Sequence, residues 1–167
     1  LTFSAVQNPE SIVLERAEIS LAEAVDAALA GLADRIGQAI IEWPRAQAND
    51  LPKLKADPLL IKEAVANLVE NAVKFNRSEH KAVRVSASRV LEGLRLGVWD
   101  NGPGIPSEEW PKLFRKFYQI DDDFTGQVPG FGMGLAFVKN VVEAHGGTAG
   151  LNSKPGQGSE FFFTLPL

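Results

Sequence analysis

Apolar and polar positions along the chain change period several times, and each change marks a predicted element. Leu1 to Ser11 has no clear period and turn residues at Asn8-Pro9, so it reads as a linker or the end of a preceding helix. Ile12 to Ile19 predicts a strand. Ser20 and Glu23 then form a capping box, and Leu21, Ala24, Val25, Ala28, Leu29 and Leu32 recur at helical spacing to about Ile36. Gln38 to Trp43 predicts a second strand stopped by Pro44, and Pro52 to Ala56 a short third. Asp57 followed by Pro58 is an N-cap with proline at the first helical position. The helix it opens has Leu60, Ile61, Ala64, Val65, Leu68, Val69, Ala72 and Val73 as one apolar stripe.

Beyond that helix the period falls to two. Val83, Val85 and Ala87 alternate within a strand from Lys81 to Val90, a Glu92-Gly93 turn reverses the chain, and Leu94, Leu96 and Val98 continue as the hairpin partner. Glu108 to Tyr118 is a short amphipathic stretch, and Gln119 to Pro129 has no apolar period, as expected of a mobile loop. Gly130 to Leu135 opens a further helix with the stripe Leu135, Val138, Val141 and Val142, ended by His145-Gly146-Gly147. Thr148 to Asn152 and Glu160 to Leu165 predict a closing hairpin around Pro155-Gly156-Gln157-Gly158. The run Phe161-Phe162-Phe163 is expected in the sheet core.

Composition narrows the setting without naming a function. A chain of 167 residues forms one domain that buries roughly 70% of its extended-chain surface, so its core needs no disulfide or structural metal. It has no cysteine, which agrees with a reducing compartment. The net charge of −4, with no stripe of lysine and arginine interleaved with aromatics, argues against a nucleic-acid partner. The start at Leu1, without a signal peptide or an apolar run near 18 residues, is expected of a piece of a longer protein.

Chemistry gathers at a few polar positions. Asn67, Asn71 and Lys74 fall at i, i+4 and i+7 on the face opposite the apolar stripe, with Glu63 one turn earlier. A carboxamide oxygen can enter the octahedral shell of Mg²⁺ and a lysine one turn on can meet a phosphate; a merely solvated helix face is the other reading. Asp100 continues the inward face of Leu94, Leu96 and Val98, just before the turn Asn101-Gly102-Pro103-Gly104-Ile105-Pro106. Either it caps that turn or it accepts a hydrogen bond from the exocyclic amine of an adenine. Gly130, Gly132 and Gly134 bare backbone amides where a helix dipole favours an anion, yet no Gly-Lys-Ser/Thr follows and the dinucleotide spacing is absent. Asp121-Asp122-Asp123 reads as solvated surface rather than a coordination shell. His145 reads as a structural cap suited to the negative end of the helix dipole, and His80 as a loop residue with no assigned role.

Taken in order, Asn67 to Phe75, Asp100 to Gly104, Leu113-Phe114-Arg115-Lys116-Phe117-Tyr118, Gly130 to Gly134 and Gly156-Gln157-Gly158-Ser159-Glu160-Phe161 resemble the catalytic ATP-binding domain of sensor histidine kinases, in the GHKL superfamily. They correspond to that family's N box, first glycine box, F box, second glycine box and final glycine segment. The resemblance covers nearly the whole chain after Leu14. It implies a Bergerat-type fold, a two-layer α/β sandwich in which an open mixed sheet of about five strands packs against three helices, with residues 12–167 as the catalytic domain and ATP held between helices under a lid from about Leu113 to Phe131.

By the same resemblance Asn71 holds Mg²⁺, Asn67 sits beside it near the phosphates, Lys74 reaches a phosphate and Phe75 packs on the adenine. Asp100 accepts from the adenine amine, Gly102 and Gly104 line the base pocket, and Gly130, Gly132 and Gly134 meet the phosphates. Ile105, Phe117, Met133 and Leu135 complete the implied nucleotide-binding set, and Asn67, Lys74, Arg115 and Lys116 the catalytic one. The family usually has an acidic residue then arginine where this chain has Arg115 and Lys116, and a lysine lacks the bidentate fork. The acidic run lies where the family often has Ser, Thr or Arg. The implied reaction moves the γ-phosphoryl group of ATP to a histidine. Neither His80 nor His145 has the helical, exposed His-Glu or His-Asp setting of an acceptor, so the acceptor is expected on dimerisation helices upstream of Leu1, with a response regulator as the indirect partner. This piece is expected to be monomeric and cytoplasmic, whether or not its parent is anchored in a membrane. A serine-kinase anti-sigma factor and a non-catalytic docking module are the alternative readings; water-activating ATPases of the superfamily carry a glutamate where Asn67 stands.

Overall fold

The period-two alternation builds a five-stranded sheet in the computed structural model of the chain, which describes residues 9–114 and 134–167. Its strands are β2 (Ile40–Glu42), β4 (Ala82–Val90), β5 (Gly93–Asp100), β6 (Thr148–Ser153) and β7 (Ser159–Leu165), in the order β2-β4-β5-β7-β6. β2 runs parallel to β4 and every other neighbour is antiparallel, so the sheet is mixed. β1 (Ala17–Ile19) and β3 (Leu54–Ala56) pair separately as a small antiparallel ribbon. Among the described residues three α-helices, α1 (Leu21–Leu32), α2 (Pro58–Lys74) and α3 (Gly134–Ala144), form the second layer, with α2 between α1 and α3. Among the described residues no helix is long and apolar enough to cross a membrane.

Register decides which residues share the core. Leu94 lies opposite Leu165, Leu96 opposite Phe163 and Val98 opposite Phe161, and all six face the helices. α2 lays its predicted stripe of eight residues on them, all of them buried. Phe162, one step out of phase, takes the opposite face, where the Arg95 guanidinium lies 4.1 Å from its ring centroid. Only two of the three phenylalanines therefore belong to the core. α3 buries Ala136, Val138, Val141 and Val142; Leu135, expected in that stripe, is half-buried.

Local signals place the helix starts. The Ser20 hydroxyl accepts from the backbone of Glu23, and Asp57 Oδ1 accepts from the backbones of Leu59 and Leu60, both at 3.1 Å. Strand lengths depend on partners that a local reading does not contain. The strand expected from Ile12 shortens to Ala17–Ile19 because β3 offers only three residues to pair, and the backbone N–H of Glu15 donates to Asp57 Oδ2 instead. The strand expected over Gln38 to Trp43 likewise contracts to three residues. α1 stops at Leu32, four residues early, where Arg35 and Ile36 turn back onto its carbonyl. The β4–β5 turn is Leu91-Glu92, and Gly93 opens β5 at φ 143°, so close to Leu165 that a β-carbon would fall 1.9 Å from its carbonyl oxygen. A 3₁₀ helix, Ser107–Lys112, occupies the start of the amphipathic stretch, a turn at Leu113 and Phe114 follows, and the stretch from Arg115 on and the expected mobile loop lie outside the described residues.

The end of α3 is a turn through Gly146, at φ 78°, in which Gly147 N–H returns to Val142 O. His145 serves that end differently from the expected dipole partner. It is 4% exposed, its Nδ1 lies 2.7 Å from Val141 O, and its Nε2 accepts the backbone N–H of Asp57 at 3.0 Å. Two such contacts require the neutral ring, and burial lowers its pKa. The imidazole therefore stitches the end of α3 to the start of α2 as a hydrogen-bonding joint and carries no charge to the dipole.

Candidate functional site

The polar face of α2 meets two other elements, one along its last turns and one at its C-terminal end. Asn67 Nδ2 donates to Glu63 O one turn back at 2.8 Å, which leaves Oδ1 pointing outward. Gly134, the first residue of α3, lies against that oxygen: a β-carbon there would be 3.0 Å from Asn67 Oδ1 and 3.4 Å from Asn71 Nδ2. The N-terminus of α3 thus abuts both carboxamides, setting a helix dipole's positive end beside the neutral oxygen of Asn67 and the amide nitrogen of Asn71. Lys74 lies seven residues after Asn67, roughly 10 Å along the axis, with its ammonium 5.8 Å from the Phe75 ring centroid.

At the end of α2 the chain turns toward Asp100. The Lys81 ammonium donates to Val73 O, and Phe75 N–H to Asn71 O, so the last carbonyls are partnered. Asp100 sits at the end of β5, 8% exposed, opposite buried Val83 on β4 and buried Ser159 on β7. The backbone N–H of Gly102 donates to its Oδ1 at 2.8 Å. Burial pushes the Asp100 carboxyl up to about 6, against the smaller lowering effect of that hydrogen bond. The two sequence readings of Asp100 are therefore compatible: one oxygen caps the turn, and a desolvated carboxylate with a single side-chain hydrogen bond among the described residues suits a further N–H donor.

The turn after Asp100 is anchored to the β6–β7 connection. Gly104, at φ 76°, comes so close to Lys154 that a β-carbon would lie 2.0 Å from its carbonyl oxygen. Ile105 N–H donates to Ser153 Oγ, which bonds Gly158 O and Ser159 Oγ, and Gly156 N–H donates to Pro103 O. Gly158 packs on the Asp100 carbonyl, where a β-carbon would come within 2.1 Å. The first and final glycine segments are thus one mutually braced surface. The Trp110 indole N–H closes it by donating to Ile105 O.

Of the residues singled out by sequence, Asn67, Asn71 and Gly134 meet, Asp100 and Gly102 meet, and Lys74 and Phe75 lie on the stretch of α2 between the two groups. Gly104 and Ile105 shape the turn, and Leu135 is half-buried behind Gly134. Arg115, Lys116, Phe117, Gly130, Gly132 and Met133 lie outside the described residues. Sequence reading passed over buried Asn76 and half-buried Asn101, whose carboxamides meet at 2.7 Å beside Gly102. An asparagine directly after a helix C-cap is a usable signal, but its partner 25 positions on is not.

Residues 56–167 match the model of the histidine kinase-, DNA gyrase B- and HSP90-like ATPase family. The chain is 37% identical over 119 residues to the adaptive-response sensory kinase SasA of Synechocystis, covering 71% of this chain and 30% of that protein. It is 33% identical to the sensor protein GacS of Pseudomonas syringae over its whole length and 19% of the relative's. It therefore spans less than a third of either relative. Among solved structures, the mycobacterial sensor histidine kinase MprB superposes with a TM-score of 0.77 at 27% identity, over 90% of this chain and 97% of that one. Full-length ShkA, solved with AMPPNP, superposes at 0.74 and 31% identity over 93% of this chain and 32% of that one. With two thirds of its length matched, the chain belongs to the histidine kinase-, DNA gyrase B- and HSP90-like ATPase family, as a catalytic ATP-binding domain of the sensor histidine kinase type.

Proposed function

We propose that residues 12–167 bind ATP with Mg²⁺ and present its γ-phosphoryl group to a histidine on a dimerisation domain outside this chain, leaving ADP bound. The observation that carries this reading is the contact of Gly134 with Asn67 and Asn71, which sets a helix N-terminus against two carboxamides along the helix that ends beside Asp100. The donor set fits the group, since oxygen donors and backbone amides suit a hard cation and phosphate. Asn71 and Asn67 would hold the ion and the phosphates. Bound Mg²⁺ would supply charge neutralisation and geometry to the triphosphate.

The remaining roles belong to the chain's own side chains. Asp100 accepts from the adenine amine, Gly102, Gly104 and Ile105 shape the base pocket, and Phe75 packs on the ring. Lys74 gives a phosphate a point charge. The α3 amides behind Gly134 and Leu135, with Gly130, Gly132 and Met133 before them, take phosphate oxygens, and Arg115, Lys116 and Phe117 complete the set. Positioning and charge stabilisation supply most of the acceleration in such transfers. A response regulator would receive the phosphoryl group from that histidine.

The test has two arms. Calorimetric titration with non-hydrolysable ATP and GTP analogues should show adenine selectivity of at least roughly tenfold, the scale of one charge-assisted hydrogen bond. Labelled ATP should then transfer label to the parent's dimerisation domain supplied separately. Equal affinity for the two analogues would remove Asp100 from its role. Tight binding without transfer would favour a docking module.

A further inference from the structure

Asn76 and Asn101 form a clamp at the hinge between α2 and the Asp100 turn. Asn76 directly follows the C-cap of α2 and is 3% exposed. Its Nδ2 donates to Asn101 Oδ1 at 2.7 Å, and its Oδ1 accepts Ser78 N–H at 2.9 Å. Asn101 Oδ1 also accepts Ala82 N–H, and its Nδ2 donates to His80 O, each at 2.9 Å. Its backbone is held as well, with N–H to Ala82 O at 3.2 Å and the Ser78 hydroxyl on its carbonyl at 2.7 Å. Two carboxamides thus hold the start of β4, the loop before it and the end of β5 in one relative position.

The clamp reaches the Asp100 carboxylate through one residue. Gly102 lies between them: a β-carbon at Gly102 would be 3.5 Å from Asn76 Cα and 2.7 Å from Asp100 Oδ1, the atom that accepts Gly102 N–H. The aim of the carboxylate is therefore tied to the position of Gly102, which Asn76 backs and Asn101 precedes. An amide pair suits this task because each partner both donates and accepts, so the bond fixes direction as well as distance. An aspartate at 76 could not donate and would face Asn101 Oδ1 oxygen to oxygen.

We infer that Asn76 and Asn101 are positioning residues for base recognition, acting through Gly102 to aim Asp100 at the adenine without touching the nucleotide. This rests on the reading of Asp100 as the adenine acceptor. Its consequence is that the clamp governs affinity for the base and leaves affinity for the phosphates alone.

The experiment titrates the unmodified chain, Asn76→Asp, the milder Asn76→Ser, Asp100→Ala and the Asn76→Asp/Asp100→Ala pair with three probes: the Mg²⁺ complexes of an ATP analogue, a GTP analogue and tripolyphosphate. Unfolding midpoints select a temperature at which every variant is folded. Both Asn76 variants should bind the ATP analogue roughly five- to thirtyfold more weakly, as expected for one hydrogen bond of a buried side chain, with the ATP-to-GTP preference reduced and tripolyphosphate affinity within about twofold. In the Asp100→Ala background, Asn76→Asp should add less than about threefold, because the group it acts through is gone. Equal weakening toward the ATP analogue and tripolyphosphate, or full additivity in the pair, would overturn the inference and make the clamp purely structural. Unchanged ATP affinity in the Asn76 variants, with Asp100→Ala weakened, would overturn it alone. If Asp100→Ala itself keeps adenine selectivity, the site reading beneath it fails first.

Discussion

At the scale of single residues, Asp100 trades stability for a polarised acceptor. Burial pushes its carboxyl up to about 6 in the fold against about 3.9 in an unfolded chain, so the native state binds a proton more tightly than the unfolded state does. Stability therefore rises as pH falls from about 6 toward 4, and the ionised form at neutral pH costs on the order of 3 kcal/mol. Asp100→Asn should be more stable than the unmodified chain at pH 7, by about 1 to 3 kcal/mol, with the gain shrinking toward pH 4. It should also bind the ATP analogue more weakly, since a neutral acceptor replaces a charged one. His145 acts in the opposite sense, because its pKa is lowered: stability it supports above pH 6.5 is lost as pH drops and the unfolded ring alone takes up a proton. Both groups make stability depend on pH, so the difference between the two proteins isolates Asp100, His145 being common to them. Denaturant unfolding from pH 4 to 7.5 measures it, and a pH-independent difference would refute the burial account. The place of Asp100 was legible from its neighbours' alternation. The Asn76–Asn101 bond was not, because it exists only once α2 and β5 are packed.

Among elements, helix starts were readable and the extents of β1 and β2 were not, for one reason. Ser20 and Asp57 cap through bonds to residues two or three positions on, which local sequence contains. β1 and β2 stop where partners stop, 35 to 42 positions away. The start of α3 carries the clearest element-level test. Gly134 has no need of a left-handed backbone, and a β-carbon there meets Asn67 Oδ1 at 3.0 Å. Gly134→Ala should therefore leave stability unchanged or raised, since alanine favours helix by up to about 1 kcal/mol, while nucleotide affinity falls roughly tenfold or more as the cradle fills. Gly31 in α1 provides the control, with nothing within 4 Å of its added β-carbon. Gly31→Ala should stabilise by about 0.5 to 1 kcal/mol and leave binding alone. Thermal unfolding and titration of the pair check both statements. Parallel loss of stability and affinity in Gly134→Ala would mean that the glycine serves packing instead.

Across the whole molecule, the proposed site draws on α2, the end of β5 and the start of α3, elements separated by long stretches of chain and joined only by the core beneath them. The separate elements were legible from the switch of apolar period between 3.6 and 2, while the sandwich architecture and the candidate site residues came from the family resemblance that the order of the motifs carries. The strand order β2-β4-β5-β7-β6 and the contact of Gly134 with Asn67 are products of packing and could not be read in advance. A ligand bridging these elements binds only the folded chain, so it must raise stability by mass action. At a free concentration 100 times its dissociation constant, the ATP analogue with Mg²⁺ should add about 2.7 kcal/mol, a rise of roughly 5 to 11 °C in the unfolding midpoint for a domain of this size. Chelating the Mg²⁺ should remove most of that rise in the unmodified chain. In Asn71→Ala the smaller rise should be the same with and without the ion, because the carboxamide assigned to the ion is absent. Scanning calorimetry of both proteins, each with the analogue and with or without Mg²⁺, decides the matter. A chelator effect that survives Asn71→Ala would place the ion on Asn67 or on the phosphates alone and withdraw Asn71 from the metal.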